Sequence, residues 1–239
     1  MSINKVIKLF RLLFCDKYRS ALISNRVAAG VEHEKLLSYL DCKSIIDIGA
    51  NRGQFALVAR HCFPDSKIIS FEPLPGPSSV FKMVFAGDTN ITLKESAIGP
   101  DIDQVEMHVS ARDDSSSLLS LTSKQSEIFP GTHEVSSVKV SVAPLATFVS
   151  VDDLVGTTLL KIDVQGFELE VLKGCETLLD SFKYVYVECS FIELYEGQAL
   201  AHEVIRFLEQ HEFSLIGIYN TYYDDSGLAV QADFLFKKN

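Results

Sequence analysis

Short apolar runs alternate with stretches of helical periodicity along most of the chain. The run Ser44 to Ile48 is apolar and β-branched, which is typical of an interior parallel strand. Gly49 and Gly53 come next and predict a tight turn, and Gln54 to Phe63 then has apolar residues at helical spacing before Pro64. A strand that turns directly into a helix directs free backbone N–H groups toward whatever lies above the sheet.

This pattern recurs several times along the chain. The second strand ends at Glu72, and two later strands end near Asp163 and Glu188. Strands that alternate with helices favour a parallel sheet with helices on both faces, and the closing pair of strands predicts that the last one is antiparallel. The sequence therefore predicts an α/β fold with a mostly parallel, seven-stranded sheet. Its strands are expected at 44–48, 67–72, 91–93, 158–164, 184–187, 214–218 and 232–236.

The segment from about residue 101 to residue 150 departs from this rhythm. Val105–Val109 and Val138–Val142 alternate between apolar and polar residues, as half-buried strands do. We therefore expect an antiparallel hairpin between the third and fourth strands of the sheet. The polar stretch from Ser110 to Ser136 is expected to be a mobile loop that closes over the ligands. His133 lies in this loop and is a candidate base.

Residues 1–40 are expected to form a helical segment ahead of a larger unit, residues 41–239. A first helix over residues 2–19 is amphipathic, because one face is apolar and the other carries lysine and arginine. A second helix is predicted over Val31 to Leu40. Three interpretations remain open for this segment: a lid, an arm that holds a homodimer together, or a helix whose basic face lies on an anionic membrane surface.

Composition and charge exclude several classes of protein. The 239 residues, 47% of them hydrophobic and 23% charged, are enough for one globular domain with a substantial core. The formal net charge of −10 argues against a nucleic-acid partner. Five scattered cysteines without a C-x-x-C pair argue against a disulfide framework or zinc site and for a reducing compartment. We expect a cytoplasmic protein, or one that is peripheral to the inner face of the membrane.

The first turn and the second strand together indicate a ligand that contains adenosine. Glu72 lies about 20 residues beyond the turn, where nucleotide-binding α/β folds place an acid for the ribose hydroxyls. The turn has two glycines rather than the three of a dinucleotide fingerprint, and Asp47 just before it would repel a pyrophosphate. A carboxylate at this position suits a cation. S-adenosylmethionine (SAM) fits, because it has a sulfonium, an ammonium and no phosphate.

Five motifs, in this order, resemble those of the FkbM-type methyltransferase family over roughly residues 40 to 200. They are Asp47-Ile-Gly-Ala-Asn-Arg-Gly-Gln-Phe, Phe71-Glu72-Pro73, Ser96-Ala97-Ile98-Gly99, Leu160-Lys-Ile-Asp-Val-Gln-Gly-Phe-Glu168 and Val187-Glu188-Cys189. The resemblance implies a SAM-dependent O-methyltransferase with the class I, Rossmann-like fold. It also implies that the acceptor is a hydroxyl group of a sugar, glycolipid or related natural product.

The candidate site residues follow from these motifs. For SAM they are Asp47, Gly49, Asn51 and Gly53 in the turn, Glu72 at the ribose, and Ser96 and Ala97 beside the adenine. An alcohol is a poor nucleophile, so a positioned base assists methyl transfer, and Asp163, Glu188 and His133 are the candidates. A divalent metal held by Asp163 and Glu188 is a further option, but it is not expected, because the sequence has no dense acid cluster there.

Two other functions remain open at this point. One is a nicotinamide-dependent oxidoreductase, against which Asp47 argues. The other is a non-catalytic SAM-binding component of a glycan-assembly complex. This component would keep Asp47 and Glu72 but would need no acids at the ends of the fourth and fifth strands.

Overall fold

The computed structural model describes residues 3–239, with the side chains of Lys8 and of residues 10–239. Its α-helices are, in chain order, α1 (Ile3–Phe14), α2 (Asp16–Asn25), α3 (Glu34–Leu37), α4 (Gln54–Cys62), α5 (Pro75–Val84), α6 (Ser123–Ile128), α7 (Glu168–Cys175) and α8 (Ala201–Gln210). Its strands are β1 (Ser44–Ile48), β2 (Lys67–Phe71), β3 (Ile91–Lys94), β4 (Ala97–Ile98), β5 (Asp103–Ser110), β6 (Glu134–Ala143), β7 (Thr158–Ile162), β8 (Tyr184–Ser190), β9 (Phe213–Tyr223) and β10 (Ala229–Lys238).

Seven of these strands form one sheet in the order β3-β2-β1-β7-β8-β10-β9. The pairs from β3 across to β8 are parallel, and β10 is antiparallel to both of its neighbours. This is the class I methyltransferase arrangement that the sequence predicts, so the predicted fold class is confirmed. The parallel strands all end at one edge of the sheet, where ligands bind in open α/β folds.

The alternation of side chains along each strand places two cores on opposite faces of the sheet. Ile46 and Leu160 pack on one face with α7 and α8. Ile45 and Leu159 pack on the other face, where α4 and the N-terminal helices cover them. Helices therefore cover both faces of the sheet, as is usual where parallel strands are connected by helices.

The hairpin between the third and fourth strands of the main sheet is present, since β5 and β6 pair in antiparallel fashion with β4 beside β6. The segment between them is more regular than a polar loop, because it contains a 3-10 turn, Asp113–Ser115, and α6. The apolar residues Leu119, Leu121, Ile128 and Phe129 pack against a cluster of Leu194, Tyr195 and Val230. The expected closure of this segment over ligands stays a prediction.

The N-terminal segment differs in detail from the predicted pair of helices. The first helix breaks at Cys15 into α1 and α2, and the second is only a 3-10 turn, Val31–His33, followed by the four residues of α3. The rings of Phe10 and Phe14 are exposed and stack 4.9 Å apart. The remainder of the predicted apolar face, Ile3, Val6, Ile7 and Leu9, lies outside the described side chains. Within residues 3–239, no helix has the length and apolarity needed to cross a membrane.

Candidate active site

A cavity of about 340 Å³ opens at the edge where the parallel strands end. Its walls come from the turn after β1, the end of β2, the loop after β3, the end of β7 and the segment before β1. Among the predicted site residues, six line it: Gly49, Asn51, Glu72, Ser96, Ala97 and Asp163. Four motifs that are well separated in the sequence therefore meet at one site.

The turn after β1 needs glycine for two reasons. Gly49 has φ +81°, which L side chains rarely adopt, and a Cβ on it would overlap the carbonyl oxygen of Asp163. Gly53 has φ +93° and packs under the rings of Phe81 and Phe85, so it shapes the turn from outside the cavity. Gly49 therefore allows the turn after β1 to approach the end of β7 closely, and Gly53 allows the turn to pack against α5 and Phe85.

Glu72 is fixed by the backbone on both oxygens. The N–H of Asn51 donates to Oε2 at 2.9 Å, and the N–H of Leu74 donates to Oε1 at 2.8 Å. Burial raises the pKa of Glu72 to about 7, although the hydrogen bonds from these two N–H groups lower it. Each carboxylate oxygen retains a second lone pair, so the side chain can accept two further hydrogen bonds from a ligand.

Part of the cavity lining is apolar. Ala97, Ile98, Leu74 and Phe167 line it, and the Ser96 hydroxyl donates to the carbonyls of Ala97 (3.0 Å) and Ser141 (3.1 Å). Ser96 therefore uses its hydroxyl to fix the loop, and its backbone remains the part available to a ligand. An apolar slot beside a fixed carboxylate is suited to an aromatic base joined to a ribose.

Asp47 does not line the cavity. Its side chain is completely buried beneath the turn, where it lies 3.4 Å from the Lys161 ammonium and accepts from the Ser70 hydroxyl at 3.4 Å. Lys161 also lies 3.5 Å from Asp163. Burial alone would lower the pKa of Lys161, but these two carboxylates outweigh it and raise the pKa. The expected direct contact between Asp47 and a bound cation is replaced by an ion pair that supports the cavity floor.

Asp163 and Glu188 are linked through one side chain, Gln165. The Nε2 of Gln165 donates to Asp163 at 2.9 Å and to Glu188 at 3.0 Å, and its Oε1 accepts from the Tyr195 hydroxyl at 2.9 Å. Glu188 lies outside the cavity lining and also accepts from Gln231 at 2.7 Å. Burial, with the charges of Asp163 and Asp233, raises the pKa of Glu188 well above its usual range.

His133 is not part of this arrangement. Its side chain is exposed at the start of β6, outside the cavity lining, and only its backbone is engaged, accepting from the N–H of Ala111 at 2.9 Å. The first part of the loop that carries it lines the cavity, whereas its later apolar residues pack against Leu194 and Tyr195.

A second polar cluster was not anticipated from the sequence. His33 lines the cavity, and its Nδ1 lies 2.9 Å from the Tyr186 hydroxyl, which donates to Asp233 at 2.8 Å. No feature of the sequence marks His33 as a site residue, because His33 lies in a predicted helix and outside all five motifs. Gln165, by contrast, is inside the fourth motif and could have been chosen from it.

Comparison with known proteins places these observations in a family. The family model of the methyltransferase FkbM domain matches residues 47–215. The chain belongs to the FkbM methyltransferase family. Glu72, Asp163 and Glu188 lie inside the matched stretch, and His33 and Asp233 lie outside it.

Two curated relatives are similar over most of their length. Methyltransferase 1 of Beauveria bassiana is 26% identical over 190 residues, which cover 73% of this chain and 74% of that protein. The 2-O-methyltransferase NoeI of Sinorhizobium fredii is 26% identical over 188 residues, covering 75% and 77%. The crystal structure of a precorrin-6y C5,15-methyltransferase from Geobacter metallireducens covers 86% of this chain and 87% of its own at 11% identity, with a TM-score of 0.49.

The FkbM assignment makes the chain a SAM-dependent methyltransferase. The residues of the cavity suit this cofactor, because carboxylates of Glu32, Glu72, Asp113, Asp114 and Asp163 face a ligand that carries a net positive charge. Within residues 3–239, no group of three or more His, Cys, Asp or Glu side chains is arranged to hold a metal ion.

Proposed function

We propose that this FkbM methyltransferase transfers the methyl group of SAM to a hydroxyl oxygen of a saccharide, or of a similar polyhydroxylated small molecule. The observation that carries the proposal is that one continuous cavity has a fixed carboxylate and an apolar slot at one end and a charged, hydrogen-bonding end at the other. The first end suits an adenosine, and the second suits an acceptor rich in hydroxyl groups.

At the adenosine end, Glu72 accepts hydrogen bonds from both ribose hydroxyls, and the backbone at Ser96 and Ala97 contacts the adenine. Gly49 and Asn51 in the turn after β1 hold the methionine portion. In this proposal Asp47 and Gly53 support the turn from below and do not touch the cofactor, since neither lines the cavity.

At the other end, Asp163 orients the acceptor. Its side chain is 36% exposed and lies at the cavity, so its free lone pairs are available to an incoming hydroxyl. Gln165 and Glu188 hold Asp163 in place. The protein contributes mainly by aligning the acceptor oxygen with the methyl carbon and the sulfur, because methyl transfer is an in-line displacement.

The name of one relative supports an oxygen acceptor, since NoeI is a 2-O-methyltransferase. The acidic character of the chain supports an uncharged acceptor over a polyanion such as nucleic acid. The exposed Phe10, Leu13 and Phe14 of α1 support a peripheral contact, either with a membrane that carries a glycolipid acceptor or with a second copy of the chain.

The test is incubation with SAM labelled with ¹³C in its methyl group and a panel of methyl glycosides of common hexoses and deoxyhexoses, followed by mass spectrometry of the products. We expect one labelled methyl ether on a preferred saccharide, at a rate that a metal chelator does not change. SAM binding by calorimetry, without labelled product from any hydroxyl compound, would favour the non-catalytic alternative. Tighter binding of NAD than of SAM would favour an oxidoreductase.

A further inference from the structure

We propose that His33 is the general base of the reaction, and that its Nε2 accepts the proton of the acceptor hydroxyl, with Tyr186 and Asp233 as positioning residues. The inference rests on the proposed transfer to a hydroxyl group and adds the residue that removes its proton. Neither the family-matched stretch nor the sequence motifs contain His33 or Asp233.

The three side chains form a chain of hydrogen bonds that leads away from the cavity. His33 Nδ1 lies 2.9 Å from the Tyr186 hydroxyl, which lies 2.8 Å from Asp233 Oδ2. Asn220 Nδ2 donates to the same Oδ2 at 2.8 Å. The side chains of His33 and Asp233 are only 16% and 13% exposed, so water competes little with these bonds.

The direction of these bonds fixes the tautomer of His33. A carboxylate only accepts, so the single hydrogen of the Tyr186 hydroxyl goes to Asp233. The hydroxyl oxygen then accepts from His33, which places the ring hydrogen on Nδ1 and leaves a lone pair on Nε2. Asn220 Nδ2 also lies 3.4 Å from Nδ1, but its shorter bond, at 2.8 Å, goes to Asp233 Oδ2. Among the described side chains, those of Lys8 and of residues 10–239, none is hydrogen-bonded to Nε2.

The His33 ring is also held in place beside the cavity. Phe55 packs against the ring edge with 5.4 Å between centroids, and Gly30 leaves room beside Nε2, since a Cβ there would lie 3.5 Å from that atom. Gly30, His33 and Phe55 line the same cavity as Asp163. The base and the residue that orients the acceptor therefore face one space.

Imidazole is better suited to this task than the carboxylate of Asp163 at the same end of the cavity. Its ordinary pKa of about 6.5 exceeds the roughly 3.9 of an aspartate, and a base is most effective near the working pH. As the acceptor oxygen bonds to the methyl carbon, the carbon–sulfur bond breaks with its electron pair going to sulfur. The hydroxyl proton passes to His33 Nε2. The imidazolium is stabilised by Asp233 through Tyr186 and later loses its proton to water.

The first test needs no acceptor. Long-range ¹H–¹⁵N NMR of the uniformly labelled protein, with the His33 resonances assigned from His33→Asn, reports which ring nitrogen carries the hydrogen. We expect an Nδ1–H tautomer in the wild type. An Nε2–H tautomer would overturn the inference even if the protein methylates saccharides, so this result is separable from failure of the proposed function.

The second test uses the methyl glycoside that the wild type methylates. The amide of His33→Asn can replace the Nδ1–H donor but supplies no base, so we expect kcat to fall by about 100-fold or more while SAM affinity stays within a few-fold. His202→Asn, an exposed histidine on α8, is the matched control and should keep full activity. A normal kcat in His33→Asn, or a loss that follows only SAM affinity, would show that His33 holds the cofactor or the fold instead.

The dependence of kcat on pH separates a base from a structural residue. In the wild type kcat should fall toward low pH, because a protonated base cannot accept the hydroxyl proton, and this acidic limb should be absent from the residual activity of His33→Asn. Asp233→Asn should shift the limb, because it removes the charge that stabilises the imidazolium. The charged and titratable groups around His33 are Lys8, Glu32, Lys161, Asp163, Tyr186 and Asp233. An unchanged limb in both variants would overturn the inference.

Discussion

The backbone N–H of Asn51 donates to Glu72 Oε2 at 2.9 Å, so the turn after β1 and the end of β2 are joined across the mouth of the cavity. The bond places a carboxylate, rather than a backbone group, at the ribose end of the site. The same bond anchors the turn, so Glu72 has a structural role even before a ligand binds.

Glu72→Gln should weaken SAM binding about tenfold or more, because charge-assisted hydrogen bonds to hydroxyl groups are worth roughly 1.5–3 kcal/mol. Ribose hydroxyls favour the ionised carboxylate, and its pKa without ligand is about 7. SAM affinity should therefore fall as the pH drops from 8 to 6, and this dependence should be lost in the variant. Calorimetry at both pH values, with the exposed Glu196→Gln as control, measures the effect. Equal affinities for SAM in the wild type and Glu72→Gln would contradict the ribose contact.

Gly49→Ala should destabilise the protein more than Gly87→Ala. Both glycines have positive φ, +81° and +89°, so both substitutions cost about 1–2 kcal/mol for the left-handed backbone. Only the first new methyl group would overlap another atom, the carbonyl oxygen of Asp163, and this adds roughly 1–3 kcal/mol. Urea denaturation of the two variants isolates the second contribution. Similar losses would mean that β1 and β7 do not approach closely here.

Glu168 makes the unliganded protein less stable as the pH rises. Burial raises its pKa from 4.5 to about 7, although the N–H groups of Val164 and Gly166 donate to it. Between these values the folded state holds a proton that the unfolded state has released, so the free energy of unfolding decreases with increasing pH. Glu168→Gln should make this decrease shallower, and Glu170→Gln in the same helical turn should not. Denaturation curves at pH 5, 6, 7 and 8 measure how the free energy of unfolding depends on pH. The same dependence in the wild type, Glu168→Gln and Glu170→Gln would rule out the effect.

Asp163→Asn should reduce kcat/KM for the acceptor about tenfold or more and change SAM affinity much less. The amide has lost the charge that strengthens a hydrogen bond to a hydroxyl group. Steady-state kinetics with the preferred saccharide measures this, and the exposed Asp152→Asn serves as control. If kcat/KM is unchanged, Asp163 supports the cavity floor through Lys161 but does not orient the acceptor.

The segment 111–118 should exchange its amide hydrogens more slowly when SAM and acceptor are both bound. Asp113, Asp114, Ser116 and Leu118 line the cavity, so ligands can hold this segment down. Strand β7 is the internal reference and should show little change. Equal exchange of residues 111–118 with and without the ligands would mean that the segment is a fixed wall and not a lid.

The hydrophobic pattern of the sequence was sufficient to predict the central strands of the sheet. These strands are buried on both faces, and their apolar runs are bounded by turns. The pattern was sufficient to select Glu72 as a candidate as well, because the end of a parallel strand lies at the edge where ligands bind. The contact of Glu72 with a ribose stays a prediction. The periodicity could not predict the direction in which a buried side chain points. Asp47 looked available to a ligand, yet a one-residue position in a strand decides whether it faces the cavity or Lys161 beneath the turn.

The positions of the His33 and His133 side chains could not be predicted from the sequence, for a common physical reason. Both are histidines in irregular segments, where no period indicates which side chain is turned inward. His33 is drawn inward by Tyr186 and Asp233, which are far away in sequence. His133 is exposed because the apolar residues of its own loop occupy the nearby core cluster. Only the packing of distant elements distinguishes them.

The cavity is assembled from two parts of the chain that lie far apart in sequence. Most of the cofactor end comes from residues 47–98, within the family-matched stretch. His33 and Asp233 come from the flanks of that stretch, whereas Tyr186 and Asp163 lie inside it. The proposed base can therefore be exchanged independently of the cofactor end. A chimera that exchanges residues 26–40 together with β9 and β10 for those of a relative would retain SAM binding.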